Sequence, residues 1–275
     1  MSFESITLTI EGPIAHIRLN RPDKLNAIHQ SMLAELHRAL DEAERHSEVR
    51  AITLAGNGRS FCAGFDLSEL QPESDTAQMR KTLQADFDLI MRFWHSPKPT
   101  LAAVHGYALG GGFELAMACD VTLAAEGAQF GEPEPKFGSG IVALLLPWVT
   151  GPKQAKEMLL FGNDRVDAQR ALSMGLVNRV VPADALTEEL VATAGRCAML
   201  DAQAVQLTKT AINRSYSTMG FERALRDALD IDVTIETTDT EESRTFKDIL
   251  TRQGVKAAIA WREARVYRRG EGDLR

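Results

Sequence analysis

Three consecutive glycines, Gly110, Gly111 and Gly112, separate a strand-like run from a helix-forming one in "TLAAVHGYALGGGFELAMACD". Glycine before a helix costs backbone entropy, but it removes the Cβ that would keep a ligand off the backbone. A strand–glycine–helix junction also presents the unpaired N–H groups of the first helical turn to whatever lies at the strand end. One carboxylate, Glu114, stands in that otherwise apolar first turn, with no basic residue near it in sequence. Close packing of helix on strand explains many such turns, and here both explanations stand.

Phosphate-binding loops do not fit. "GYALGGG" lacks G-x-G-x-x-G spacing, and no glycine loop is followed by G-K-[ST]. A second junction, "FCAGFDL", carries its own glycine, Gly64. Alone, Gly64 reads as an ordinary turn. Two junctions together can aim one N–H each at a single oxygen, the arrangement that stabilises charge developing on a carbonyl. A third segment, "AQFGEPEPKFG", supplies Glu134 as a possible partner for Glu114. Two carboxylates facing one water repel, so one tends to hold a proton and act as acid while the other acts as base. Alone, Glu134 reads as a solvated loop acid, and Glu132 and Glu126 are decoys of the same kind.

The periodicity around these junctions indicates an α/β architecture with buried strands. "SITLTI" and "IAHIRLN" alternate at period two and predict an opening hairpin; "RAITLAG", "TLAAVHGYA" and "VTLAAEGAQF" predict buried strands. "SMLAELHRALDEAERH" predicts a helix with Met32, Leu33, Leu36 and Leu40 on one stripe and Ser31 as its cap. Strand signals thin out beyond Pro182, so a boundary is placed near residue 200. Residues 1–200 form an α/β core and 201–275 a helical region.

A chain of 275 residues suits one large domain with such an appendage, and its net charge of −7 argues against nucleic acid as the main partner. The cysteines Cys62, Cys119 and Cys197 lack metal spacing and read as reduced thiols of a cytoplasmic protein. The longest apolar run, "IVALLLPWV", is too short to span a bilayer, and the N-terminus lacks the pattern of a signal peptide. The histidines form no HExxH and no triad, so His105 reads as a structural hydrogen-bonding residue, and no metal site is visible.

"LNRPDKLNAI" (19–28), "GRSFCAGFDLSEL" (58–70), "KPTLAAVHGYALGGGFELAMACD" (98–120), "AQFGEPE" (128–134) and "GLVNRVVPADAL" (175–186) occur in the order typical of one family. Over roughly residues 5–200 the chain resembles the crotonase (enoyl-CoA hydratase/isomerase) superfamily. The resemblance implies a spiral of ββα units with C-terminal helices, an acyl-CoA thioester as substrate, no separate cofactor, and a homotrimer or homohexamer. It implies an oxyanion hole at the N–H groups of Phe65 and Gly111, with Glu114 and Glu134 as the acid–base pair of a 2-enoyl-CoA hydration. It places Lys24, Leu25, Ala27, Ala63, Asp66 and Leu67 along the CoA path. Retention of both glutamates favours hydration; isomerisation of a 3-enoyl-CoA or dehydration of a hydroxyacyl-CoA is the alternative reaction. A non-catalytic binding protein, including an RNA-binding one, is the alternative class.

Three departures from the family pattern bear on the substrate. Phe65 replaces a frequent alanine. The loop after Glu134 is apolar and bulky, so some of Ile141, Val142, Leu144, Leu145, Leu146 and Trp148 are expected to line an acyl pocket suited to apolar or cyclic groups, unless they simply pack into the core. The tail carries extra residues, including Arg262, Arg265, Arg268 and Arg269. These read as a solvated helix face, or as a region reaching the CoA phosphates of a neighbouring subunit. The helix "FERALRDALDIDVTIE" has an apolar face that is expected to need a partner.

Overall fold

A computed structural model describes residues 3–69 and 75–267 of the chain. The opening hairpin forms as expected: β1 (Ile6–Glu11) pairs antiparallel with β2 (Ile14–Leu19), in register Leu8 with Ile17. Helix α1 (Gln30–Arg45) follows, but its cap is His29 rather than Ser31: the His29 ring Nδ1 accepts from the Met32 N–H at 3.2 Å. His29 holds the extended backbone that an N-cap needs, whereas Ser31 already lies inside the first turn.

The rest of the spiral is built from β3 (Ala51–Gly56), α2 (Thr76–His95), β4 (Thr100–Val104), β5 (Tyr107–Leu109), α3 (Gly111–Ala118), β6 (Val121–Ala125) and β7 (Gln129–Gly131). Short elements follow: α4 (Leu146–Thr150), α5 (Pro152–Leu160), β8 (Val166–Asp167), α6 (Ala168–Ser173) and β9 (Arg179–Val181). Five helices close the chain: α7 (Leu186–Ala198), α8 (Ala202–Thr218), α9 (Phe221–Thr237), α10 (Glu241–Gln253) and α11 (Val255–Tyr267). The main sheet runs β1-β2-β3-β4-β6-β9, parallel from β2 onward, and β5-β7-β8 form a smaller one.

Period-two alternation divides the main sheet between two apolar layers. Ile52, Leu54, Ala102 and Val104 face the principal core, with Phe61, Phe93 and Phe113. Ala51, Ala55, Leu101 and Ala103 face α7 through Leu186, Leu190 and Ala194, which share one side of that helix. With both faces covered, the parallel strands read as continuous apolar runs. Every residue of α3 is buried, Glu114 included.

The C-terminal helices differ from the expectation in one respect. The apolar face of α9 (Phe221, Leu225, Leu229 and Val233) is already buried in the principal core, packed along α2 and against Trp94. Its partner is the same chain. By contrast, α8 buries only Lys209, which pairs with Asp120 at 2.7 Å, and leaves Leu207 and Ile212 exposed. No described helix is long and apolar enough to cross a membrane.

Candidate active site

The first motif works as a clamp. Leu25 and Asn26 both adopt the left-handed conformation, at φ 51° and 57°. Asn26, fully buried, thereby reaches the loop after β3, and its Nδ2 donates to the carbonyls of Asn57, Ser60 and Phe61 at 2.9, 2.8 and 3.1 Å. Backbone bonds then tie the two segments: Ala63 N–H to the Leu25 carbonyl (3.0 Å), Ile28 N–H to the Gly64 carbonyl (2.8 Å) and Asp66 N–H to the Ile28 carbonyl (2.8 Å). In this parallel bridge the bonds fall on the residues flanking Phe65, so its own N–H points out of the ladder.

A second bridge brings the glycine run alongside. Cys62 N–H donates to the Tyr107 carbonyl at 2.9 Å and Leu109 N–H to the Cys62 carbonyl at 3.0 Å. Gly111 is the first residue of α3, so its N–H has no intrahelical acceptor. The two junctions are close: a Cβ on Gly64 would sit 2.9 Å from the Leu109 carbonyl oxygen and 3.4 Å from the Gly111 nitrogen.

Each glycine of the run clears space for a different neighbour. A Cβ on Gly110 would lie 2.1 Å from Glu134 Oε1, one on Gly111 2.3 Å from the Phe65 ring, and one on Gly112 2.5 Å from the Cys62 carbonyl oxygen. Gly110 also adopts φ 50° and ψ −130°, a backbone open essentially to glycine. Tight packing and access to the backbone are thus the same fact here. The ring of Phe65 lies across the middle glycine.

Glu134 starts a 3-10 turn (Glu134–Phe137) after β7, and its stem borders a cavity of 560 Å³ while its Oε2 is fully buried. Burial pushes its carboxyl up to about 7; a hydrogen bond from Glu132 and the Arg262 charge oppose that rise. Glu114, 1% exposed, accepts from the Ala143 N–H at 3.0 Å through Oε1, while its Oε2 has no partner. Burial holds its carboxyl well above the ordinary range, and the charges of Glu134, Asp232 and Asp86 add to that. The two glutamates therefore sense each other inside one buried site.

Glu132 is no decoy. It is 1% exposed, and as a carboxylate neither of its oxygens meets a donor. As an acid it donates to Glu134, so burial and the Glu134 charge keep it protonated well above the ordinary range. Glu126, by contrast, is exposed as expected.

Two further acids were not foreseen. Asp86 on α2 lines the cavity, with burial pushing it up to about 7, and Asp232 on α9 is pushed up to about 8. Both lie on the inward stripes of amphipathic helices, a position that local sequence does not flag for an acid. Their only signal is a charge interrupting the apolar period.

Of the residues expected along the CoA path, Leu25, Ala63 and Leu67 line the cavity. Asp66 faces an adjoining cavity and pairs with Arg21 at 2.9 Å; the same guanidinium donates to the Ala27 carbonyl at 2.5 Å. Lys24 is exposed at the end of the 3-10 turn Pro22–Lys24. The apolar loop contributes less than expected: only Val142 of its six candidates lines the cavity, while Leu145 and Leu146 are buried in the principal core and Leu144 and Trp148 pack against it. Its functional contribution is backbone, the Ala143 N–H held to Glu114.

The tail also departs from a solvated face. Arg262 is 6% exposed, pairs with Asp164 at 3.5 Å and Glu263 at 2.9 Å, and lies over the Phe137 ring. Asp164 also takes the buried Lys136 at 2.7 Å, and Phe137 stacks on Phe246 at 4.6 Å. Helices α10 and α11 thus cover the Glu134 turn of their own chain. Arg265 pairs with Glu242; Arg268 and Arg269 lie outside the described residues.

His105 Nε2–H donates to the Gly58 carbonyl, 2.9 Å away, as a structural residue would. No group of described His, Cys, Asp or Glu residues is placed to hold a metal. A larger cavity of 740 Å³ lies beside α8 and includes none of the three glutamates in its wall. Size alone does not locate the chemistry.

The sequence model of the enoyl-CoA hydratase/isomerase family matches residues 9–259. The chain belongs to this family. A crystal structure of a family member, an enoyl-CoA hydratase/isomerase from Xanthobacter autotrophicus Py2, superposes with a TM-score of 0.93 at 47% identity, covering 96% of this chain and 99% of that one. Curated members of similar sequence include a short-chain-enoyl-CoA hydratase from Clostridium acetobutylicum, 38% identical over 78% of this chain and 83% of its own. A crotonyl-CoA hydratase from Syntrophomonas wolfei is 37% identical over 79% and 85% of the two chains. The crotonase fold with its C-terminal helices, expected from the motifs, is therefore the fold of this chain.

Proposed function

We propose that the protein hydrates a 2-enoyl-CoA thioester to a 3-hydroxyacyl-CoA. The thioester carbonyl accepts from the Phe65 and Gly111 N–H groups, which stabilise the enolate oxygen as charge moves onto it. Each such donor typically lowers a barrier by ~2.7–4 kcal/mol. Glu114 and Glu134 hold one water through their unpartnered Oε2 atoms. One carboxylate takes the proton as the water oxygen bonds to C3, and the other, as an acid, delivers a proton to Cα. The pair ends one proton richer on one side and poorer on the other, and exchange with solvent restores it. Positioned acid–base groups of this kind contribute ~10²–10⁴ in rate.

One observation carries this reading: two glutamates whose carboxyl groups are buried, the charge of one acting on the other, with Glu134 2.1 Å from where a Gly110 Cβ would stand, at the turn that frees the Gly111 N–H. The CoA moiety is assigned to Lys24, Leu25, Ala27, Ala63, Asp66 and Leu67. Residues 1–200 are assigned as the catalytic core. The helical region 201–275 is assigned to assembly into a trimer or hexamer, with Leu207, Ile212 and Met219 among its exposed apolar residues.

The test is a panel of 2-enoyl, 3-enoyl and 3-hydroxyacyl-CoA thioesters with the wild type and Glu134→Gln. Hydration of the 2-enoyl member is expected, with kcat at least ~10²-fold lower in the variant. Preferential turnover of the 3-enoyl member, or a variant within twofold of wild type, would sink the assignment.

A further inference from the structure

The cavity beside Glu134 is walled largely by apolar side chains: Phe65, Met79, Leu83, Leu109, Phe137 and Val142. Against that background two acids are out of place. Asp86 shares the inward side of α2 with Met79, Leu83 and Phe87, is 6% exposed, and opens onto the cavity. Asp232 lies between Leu229 and Val233 on the inward stripe of α9 and is 2% exposed. Neither of its oxygens has a hydrogen-bond partner, and Oδ1 is aimed at Gly140, 1.9 Å from where a Cβ would stand. Gly140 is itself part of the cavity wall. Glu236, one turn further along α9, is satisfied by the Ser139 hydroxyl and the Gly140 N–H.

Nothing offsets the burial of Asp86 or Asp232. Every influence on either is another acid or the loss of water. The nearby cations Lys136, Arg165 and Arg262 are engaged with Asp164 and Glu263. Asp86 lines the same cavity as Glu134, Phe65 and Val142, and Asp232 abuts Gly140 of its wall. An acyl chain entering this cavity displaces water from the Asp86 carboxyl. Methylene groups cannot replace those hydrogen bonds, whereas a hydroxyl can.

We propose that this pocket selects an acyl group carrying a hydroxyl beyond the reacting carbons, accepted by Asp86. The proposal rests on the acyl-CoA reading above and refines its substrate class. A hydroxyl donates to the Asp86 carboxyl, whereas a methyl group displaces its water without replacing the lost hydrogen bond. The same logic lets a site with a buried polar group discriminate strongly against an analogue that leaves it unsatisfied.

The experiment is calorimetric binding of saturated acyl-CoA thioesters four to six carbons long, ending in methyl or hydroxyl, alongside hydration of crotonyl-CoA. Saturated thioesters cannot be hydrated, so binding is read independently of turnover. At one or more lengths the hydroxyl ligand is expected to bind about tenfold tighter than its methyl analogue. Asp86→Leu should bring hydroxyl and methyl ligands to within about threefold, with Asp86→Asn as the gentler variant should Asp86→Leu fail to fold. Methyl binding as tightly as hydroxyl at every length overturns the proposal, as does a preference that survives Asp86→Leu. Crotonyl-CoA hydration without hydroxyl preference overturns this inference alone. Hydroxyl preference without hydration overturns only the reaction.

Discussion

Replacing Asp232 by asparagine should make the protein more stable, and more so as pH rises. The side chain keeps its shape, loses its ionisable proton, and gains an N–H₂ that can donate to the acids around it, Asp86, Glu134 and Glu236. Burial and those neighbours push Asp232 up to about 8 from 3.8. In the unfolded chain it ionises near 3.8, so between that pH and about 8 the folded state holds more protons than the unfolded one. Stability then falls with rising pH across this window, by at most ~1.4 kcal/mol per pH unit. At pH 7, roughly three pH units above the ordinary carboxyl range, holding the proton costs about 4 kcal/mol as a ceiling. Asp86 and Glu134 repel Asp232 and are themselves raised by burial, so removing one acid releases only part of this, about 2 kcal/mol. For a chain of this size that corresponds to a rise in Tm of roughly 4–8 °C. Thermal unfolding followed by circular dichroism from pH 4 to pH 8 reads the effect directly. The difference between variant and wild type should be small at pH 4 and largest at pH 8. A difference that stays constant or shrinks with pH would refute the reasoning, because burial of this acid would then cost nothing.

Gly110→Ala should lower kcat by about 10²-fold with the overall fold intact by circular dichroism, since the added methyl displaces Glu134 and forbids the turn. Unchanged kcat would mean that Glu134 has another productive position. Leu145→Ala should cost about 2–5 kcal/mol in stability, because Leu145 is 1% exposed in the principal core. It should leave the order of preference among acyl chains unchanged, and a reordering would return Leu145 to the pocket. Glu132→Ala removes a hydrogen-bond donor to Glu134, so the Glu134 limb in the pH profile of kcat/KM should move up from about 7. A downward shift would show that Glu132 repels the Glu134 carboxylate rather than stabilising it.

What could be read in the chain beforehand was whatever the backbone itself demands. Gly110, Gly111 and Gly112 announced a junction because few other reasons place three glycines before a helix, and Glu114 followed in the same turn. Strands buried on both faces announced an α/β fold through their unbroken apolar runs. Assigning Glu134 over Glu132 rested on family resemblance, and the structure buries both. Asp86 and Asp232 were not legible beside Glu134, and neither was the pairing of Arg262 with Asp164. Their meaning depends on where α2, α9 and α11 dock, and an amphipathic pattern shows which side faces inward without showing what is met there. The same limit explains the loop after Glu134, whose bulky side chains suggested a pocket wall. Its backbone turns most of them into the core and presents the Ala143 N–H instead.

The cover over the Glu134 turn comes from the last part of the chain: Arg262 reaches Asp164 across 98 residues, and Glu236 reaches Ser139 across 97. During synthesis the N-terminal portion is available to fold first. The strands and α3 can therefore be in place before α9, α10 and α11 cover the Glu134 turn. Burial of that turn is completed only with these helices. The carboxyl chemistry of this protein is thus acquired late, as the final helices exclude water from acids that the earlier chain has already placed.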